Sequence, residues 1–403
     1  MNVADKRWVT VLSPTLTGNA LFRTHTVVSL LRERFSVQLI GFDRATEIFA
    51  PLAANEDVNP DSRYYGKNVI SWWRSVRQMA KLVKGEVLVA VKPLLGSFGA
   101  ALVLGRRLRR PVILDIDDWE LGFLSSAPYW EARTWGLKWL TATDSPLYTR
   151  LLDAFIYRAA TVTVSNSFLQ GMHGGHWIPH ARDTTSFRPS SHPTDLRHKT
   201  VLFGGAPRGH KGLPALLRAW KELGRTDAVL RLAVPEPQDP FLTNLRPTDV
   251  PNVVVTGPHS FDEMPSILAD ASVVVVPQEN ARGSVGQLPA KLMDAMAAAK
   301  PIVATDVCDA ARWLGDGAGI VVTPGSDQAL MTGLKDALDH PEMWTEMGAK
   351  ARARLLMFAS EPILARRLCD VVSGVLQGAP LKEIPAFDPA EIEISDPAER
   401  GVR

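Results

Sequence analysis

At 403 residues the chain is long for one hydrophobic core, so two domains of similar size are expected. A hydrophobic fraction of 46% beside 22% charged residues is ordinary for a soluble enzyme, and a formal net charge of +2 gives no reason to expect a nucleic-acid partner. Two distant cysteines, Cys308 and Cys369, fit neither a disulfide framework nor a zinc cluster; with no apolar leader and no uninterrupted apolar span, the sequence reads as a cytoplasmic protein without structural metal.

In chain order, a strand over 8–12 is followed by the loop Ser13-Pro14-Thr15-Leu16-Thr17-Gly18-Asn19 and a helix over 19–34 that carries Arg23 and His25. A second strand covers 36–41. The segment 71–84, Ser-Trp-Trp-Arg-Ser-Val-Arg-Gln-Met-Ala-Lys-Leu-Val-Lys, is a basic amphipathic helix. It suits either weak contact with an anionic membrane or a surface helix with its tryptophans packed inward. A strand over 86–91 ends at Lys92-Pro93, and after a helix over 99–109 comes a strand over 112–116. That strand runs into Asp115-Ile116-Asp117-Asp118-Trp119-Glu120, whose polar groups at a strand's carboxyl end are hard to bury in a core. The aromatic stretch 129–139 follows as a candidate lid, and a strand over 161–164 precedes Ile178-Pro179-His180. Polar residues over 190–198 read as an interdomain linker.

The second half opens with Val201-Leu202-Phe203, then Gly204-Gly205-Ala206-Pro207-Arg208-Gly209-His210-Lys211-Gly212, then helical spacing from Leu213. A strand, a basic glycine-rich loop and a helix start form a diphosphate cradle: amides and the helix dipole face the anion, Arg208 offers a fork and Lys211 a point charge. Further strands are expected over 228–233, 253–256, 272–276, 301–304 and 319–322. Short apolar strands interleaved with helices give two parallel sheets covered on both faces, with ligands in the cleft between their carboxyl ends. The fold class is α/β with two Rossmann-like domains: 1–189, the linker 190–198, 199–360, and a segment 361–403 whose helix crosses back to the first domain.

The second half resembles the nucleotide-sugar-binding domain of retaining GT-B glycosyltransferases of family 4, glycosyl transferases group 1. The resemblance rests on Gly205-Ala206-Pro207-Arg208-Gly209-His210-Lys211-Gly212, on Asn252 through Gly257-Pro258-His259, on Ala271 through Pro277, and on Leu288-Pro289-Ala290-Lys291-Leu292-Met293-Asp294 through Thr305. It implies that Arg208 and Lys211 neutralise the departing diphosphate, that Asp294 accepts from the ribose hydroxyls, and that no metal or other cofactor is needed. Further implied donor contacts are Gly18, Gly205, Pro258, His259, Gly286, Gln287, Leu288 and Lys291. The first glutamate of the family's paired signature falls at Gly286, and the first domain's usual histidine is replaced by the acidic strand end. Asp117 and Asp118, as groups near the reacting carbon, and Asn19, Lys92, Trp119, Glu120 and His180 are therefore assigned to the acceptor side. A divalent ion on Asp115, Asp117 and Asp118 is the competing reading. The expected activity is transfer of a sugar from a nucleotide-diphosphate donor to a polar small molecule or glycan. A sugar-nucleotide epimerase and a non-catalytic nucleotide-binding partner are the alternatives.

Overall fold

The structure, a computed structural model, describes residues 6–43, 48–53, 55, 58–65, 68–124, 138–190 and 197–388. The first domain is built on a parallel sheet of β1 (Trp8–Ser13), β2 (Ser36–Asp43), β3 (Ser62–Tyr65), β4 (Val87–Val91), β5 (Val112–Ile116), β6 (Thr161–Val164) and β7 (His176–Trp177), in the order β3-β2-β1-β4-β5-β6-β7. Its central strands read as apolar runs because both faces are covered: every residue of β4 and β5 is buried. One face packs on the helix Ala20–Arg32, the other under the helices Val69–Met79, Ala100–Leu108 and Pro146–Ala154.

The second sheet is β8 (Lys199–Gly204), β9 (Ala228–Ala233), β10 (Val253–Thr256), β11 (Val273–Val276), β12 (Ile302–Thr305) and β13 (Ile320–Val322), ordered β10-β9-β8-β11-β12-β13 and again all parallel. All six strands anticipated for this half are present, whereas the edge strands β3 and β7 were not anticipated. In each sheet the order reverses beside the domain's first strand, between β1 and β4 and between β8 and β11, so the loops that follow these strands open into one crevice.

Segments from the end of the chain tie the domains together. The helix Glu361–Gln377 buries Leu364, Leu368, Val371 and Val372 in the cluster that holds Leu30 and Leu31 of the first domain. Beyond it, the Ile384 carbonyl accepts from the Trp177 amide at 2.8 Å, and Phe387 sits against Trp313 and Phe358. Trp177 of the first domain stacks on Trp313 of the second, centroids 5.7 Å apart. Of the expected linker, 191–196 lies outside the described residues, as does most of the aromatic stretch 129–139.

Candidate active site

A cavity of about 730 Å³ lies between the carboxyl ends of the two sheets. From the first domain it is lined by Asn19, His25, Asp117, Asp118 and His180, and from the second by Gly205, Lys211, His259, Gln287, Leu288, Lys291 and Asp294. Gly18, Lys92, Trp119, Glu120, Arg208, Pro258 and Gly286, assigned to the site from sequence, are not among its lining residues.

The phosphate loop has the expected form with a different distribution of charge. β8 ends at Gly204, a single turn covers Gly209–Lys211, and the helix Leu213–Leu223 starts after Gly212. Gly212 has φ +73°, and a Cβ there would lie 1.6 Å from the Pro277 carbonyl oxygen, so only glycine closes this turn. The turn sends Arg208 outward: its side chain is 55% exposed and meets Asp239 at 3.4 Å. Lys211 points inward and donates to Gln287 Oε1 at 2.7 Å. The second inward cation is Lys291, whose ammonium rests 3.9 Å from the Phe203 ring centroid beside Gly205. Burial and the neighbouring Lys211 push its pKa well below the ordinary lysine value, and burial lowers Lys211 too. Among the described residues no carboxylate forms an ion pair with either. Two half-buried lysines facing one cavity, with Asp118 and Asp294 acting on them only through space, form a site that an anion would stabilise.

The acidic strand end is neutralised from within. β4 and β5 are adjacent, which puts Lys92 beside the acids. Its ammonium reaches Asp117 at 3.1 Å, Asp118 at 2.7 Å and Glu120 at 2.8 Å. Lys92 and Glu120, assigned to the acceptor side, therefore lie in one ion-paired cluster with Asp117 and Asp118 and not among the residues that line the cavity. Burial opposes the Lys92 charge, but the three carboxylates outweigh it and hold its pKa well above the usual lysine range. Burial works against ionised Asp118 as well, yet Lys92 and Gln287 bring it down to about 2. Burial pushes Asp117 up to about 7 against the pull of Lys92, whose ion pair to Oδ1 at 3.1 Å lacks hydrogen-bond geometry. Asp115 is remote from this chemistry: it takes a buried bidentate pair from Arg23 at 2.7 Å and a bond from Thr163. His180 is kept neutral by burial and by Arg23 and Arg182. His25, likewise brought down to about 4 by burial, meets Asn55.

The domains touch at the reacting end. Gln287 Nε2 donates to Asp118 Oδ1 at 2.9 Å while its Oε1 accepts from Lys211, so one amide links the acids to the phosphate loop. The Trp119 amide donates to the Gly286 carbonyl at 3.2 Å, and Asn166 donates to the same oxygen. A Cβ on Gly286 would lie 2.5 Å from Trp119 Cβ, so the position where the resemblance calls for a glutamate has no room for any side chain. Trp119 is a wall of this interdomain contact, tilted on Phe168 at 5.3 Å, rather than a lining residue of the cavity.

Asp294 lies in the cavity, but its Oδ1 accepts from Arg182 Nε, and Arg182 also donates to the Ala290 carbonyl. Burial raises the Asp294 pKa while Arg182 opposes the rise. Arg182 was not singled out from the sequence; a lone arginine two residues past His180 carries no local sign that its partner is 112 positions downstream. The aromatic wall of Phe22, Phe187 and Phe261, with ring centroids 5.5 and 5.8 Å from Phe261, was equally invisible because it joins both domains.

Residues 198–340 match the family model described as "Glycosyl transferases group 1". Among solved structures, sucrose-phosphate synthase from Thermosynechococcus elongatus superposes with a TM-score of 0.69 at 14% identity, over 93% of this chain and 100% of that one. A glycosyltransferase from Rickettsia africae gives 0.69 at 12% identity over the same shares, 93% and 100%. HepE of Anabaena in complex with UDP-glucose gives 0.68 at 15% identity, over 92% and 100%. These likenesses establish the GT-B fold. No curated protein matches this chain by sequence.

Proposed function

We propose that this GT-B glycosyltransferase, whose second domain is a glycosyl transferases group 1 domain, moves a sugar from a nucleotide-diphosphate sugar to an acceptor bearing a hydroxyl or amine, with retention and without a metal. The observation that carries the reading is the division of the cavity: Lys211 and Lys291, in no ion pair with a carboxylate among the described residues, on the side of the second domain, Asp117, Asp118 and His180 on the side of the first. As the glycosidic bond breaks, the diphosphate gains charge, and Lys211 and Lys291 are already in position to stabilise it. Asp294 is the group for the ribose hydroxyls once Arg182 yields it, and Gln287 is held in a fixed orientation beside the donor sugar. Asp117 and Asp118 receive the acceptor, and in a front-face retaining transfer the departing diphosphate takes the acceptor proton. Support for metal independence comes from Lys92, whose ammonium stands among Asp117, Asp118 and Glu120 where a divalent ion would have to sit. The free cysteines Cys308 and Cys369 and the lack, among the described residues, of any helix long and apolar enough to cross a membrane support a site of action in the cytoplasm.

Nucleotide release from a panel of nucleotide sugars, with and without hydroxyl- and amine-bearing acceptors, tests the reading. Acceptor-dependent release that survives EDTA is expected. Conversion of the sugar nucleotide to an isomer without acceptor would establish the epimerase instead, and binding without turnover across the panel would establish the partner subunit. Asp117→Asn separates the two sides: nucleoside diphosphate affinity should stay within a few-fold while transfer falls by roughly 10- to 100-fold, the worth of one charged hydrogen bond.

A further inference from the structure

The outer helical layer of the first domain, on the face of its sheet turned away from the helix Ala20–Arg32, does not behave like the rest of the surface. Thirteen large hydrophobic residues are exposed among the described residues, and seven of them are in this layer: Ile70, Trp73, Leu82, Leu140, Leu151, Phe155 and Tyr157. Ile70 and Tyr157 are each 69% exposed. The same segments, 69–86, 100–111 and 138–160, carry eleven Lys and Arg against three Asp and Glu, in a chain whose totals are 45 and 43. Near-neutrality overall thus conceals one strongly cationic side.

The helix Val69–Met79 shows how the layer is built. Asn68 and Ser71 form a capping box that fixes its start. Trp72 is buried, and its indole donates to the Leu95 carbonyl at 3.0 Å, which pins the helix to the domain. That anchored orientation turns Ile70, Trp73, Arg74, Arg77 and Lys81 outward along one stripe at spacings of three and four residues. The two sequence readings of this segment therefore divide between neighbouring tryptophans, one packed and one presented. Arg77 lies 5.5 Å from the Trp73 ring centroid, and Arg158 lies 5.2 Å from that of Tyr157, so aromatic and cationic groups are presented together.

We propose that this layer docks on an anionic lipid bilayer. The chemistry selects that partner. A protein interface gathers its apolar area in a core depleted of charge, whereas here cations alternate with the apolar residues along the stripe. A nucleic acid would have no use for exposed Ile70, Leu140 and Leu151. Aliphatic and aromatic side chains interspersed with cations on helices covering one face of the sheet match the headgroup boundary, where the apolar groups enter the acyl region and the cations meet lipid phosphates.

Flotation of the full chain with vesicles of neutral phosphatidylcholine, and of the same lipid with 30% phosphatidylglycerol, is the test. Binding to the anionic vesicles alone is expected. Replacing Arg74, Arg77 and Lys81 together by Gln should weaken it roughly 100-fold, at about fivefold per cation. Ile70→Ser with Trp73→Ser should weaken it while nucleoside diphosphate affinity stays that of the wild type, which shows the variant to be folded. Equal binding to neutral vesicles, no binding to either, or self-association in sedimentation velocity that the Ile70→Ser, Trp73→Ser variant abolishes would overturn the proposal. These readouts concern the surface only, so they stand apart from the success or failure of the proposed transfer reaction.

Discussion

Lys291→Met and Arg208→Ala should have opposite importance to that suggested by their places in the sequence. Lys291 is half-buried and lines the cavity with no ion-paired carboxylate among the described residues, so a bound diphosphate gains a charge-assisted hydrogen bond from it, worth about 1.5–3 kcal/mol. Its loss should weaken nucleoside diphosphate binding by roughly 10- to 150-fold. Arg208 is 55% exposed and already faces Asp239 at 3.4 Å, so its removal should change affinity by under about 1 kcal/mol, roughly fivefold at most. Calorimetric titration of UDP, GDP and ADP into wild type and both variants reads this directly. Stability supplies a second sign. Because the folded-state pKa of Lys291 lies below its unfolded value, folding disfavours the bound proton, and near neutral pH the charge costs stability. Lys291→Met should therefore raise the Tm of the unliganded protein at pH 7, by an amount that shrinks toward pH 10. An Arg208→Ala loss equal to that of Lys291→Met, or unchanged affinity in Lys291→Met, would refute the assignment of the diphosphate to the inward lysines.

Three further outcomes follow from the acidic strand end. Lys92→Met leaves Asp117, Asp118 and Glu120 without their common counter-charge and should cost about 3–5 kcal/mol in urea unfolding, partly recovered by adding Asp118→Asn; an unchanged midpoint would mean the cluster is solvated. Gly286→Ala places a methyl 2.5 Å from Trp119 Cβ and should cost about 1–3 kcal/mol, relieved by Trp119→Gly, which removes that Cβ; a neutral effect would show that the domains separate here freely. Asp117, with a folded pKa of about 7 against about 3.9 unfolded, binds its proton more tightly when folded, so its contribution to stability is present below about pH 4 and lost as pH rises to about 7. Thermal melts of Asp117→Asn should accordingly lose less stability than wild type between pH 4 and 7, and parallel curves would place Asp117 in water.

The parallel sheets were legible because their strands are apolar on both faces and are punctuated by glycine and polar loops. β3 and β7 escaped notice for the converse reason: β3 reads Ser-Arg-Tyr-Tyr at a sheet edge, and β7 is only two residues long. Cavity-lining residues were legible where a motif fixes the backbone, as at Gly205, Lys211 and Asp294. Where a turn decides the direction of a side chain, as at Arg208, the sequence carried no sign that it would face Asp239 outside the cavity. The role of Lys92 was within reach, because lysine at the end of one strand and acids at the end of the next become neighbours once the strands are adjacent and parallel. The Arg182–Asp294 pair and the crowding of Gly286 by Trp119 depend on how two domains meet, which no local pattern encodes.

The return of residues 361–387 onto the first domain also bears on synthesis. The helix Ala20–Arg32 emerges early from the ribosome, yet the Leu30 and Leu31 surface is completed by Leu364, Leu368 and Val371, and the β7 edge by Ile384. At about 5–20 residues per second, some 330 positions separate the two events by tens of seconds, during which the second domain forms in between. The nascent first domain must wait with an open apolar seam, so its last folding step follows the synthesis of residues 364–384 rather than its own release from the tunnel.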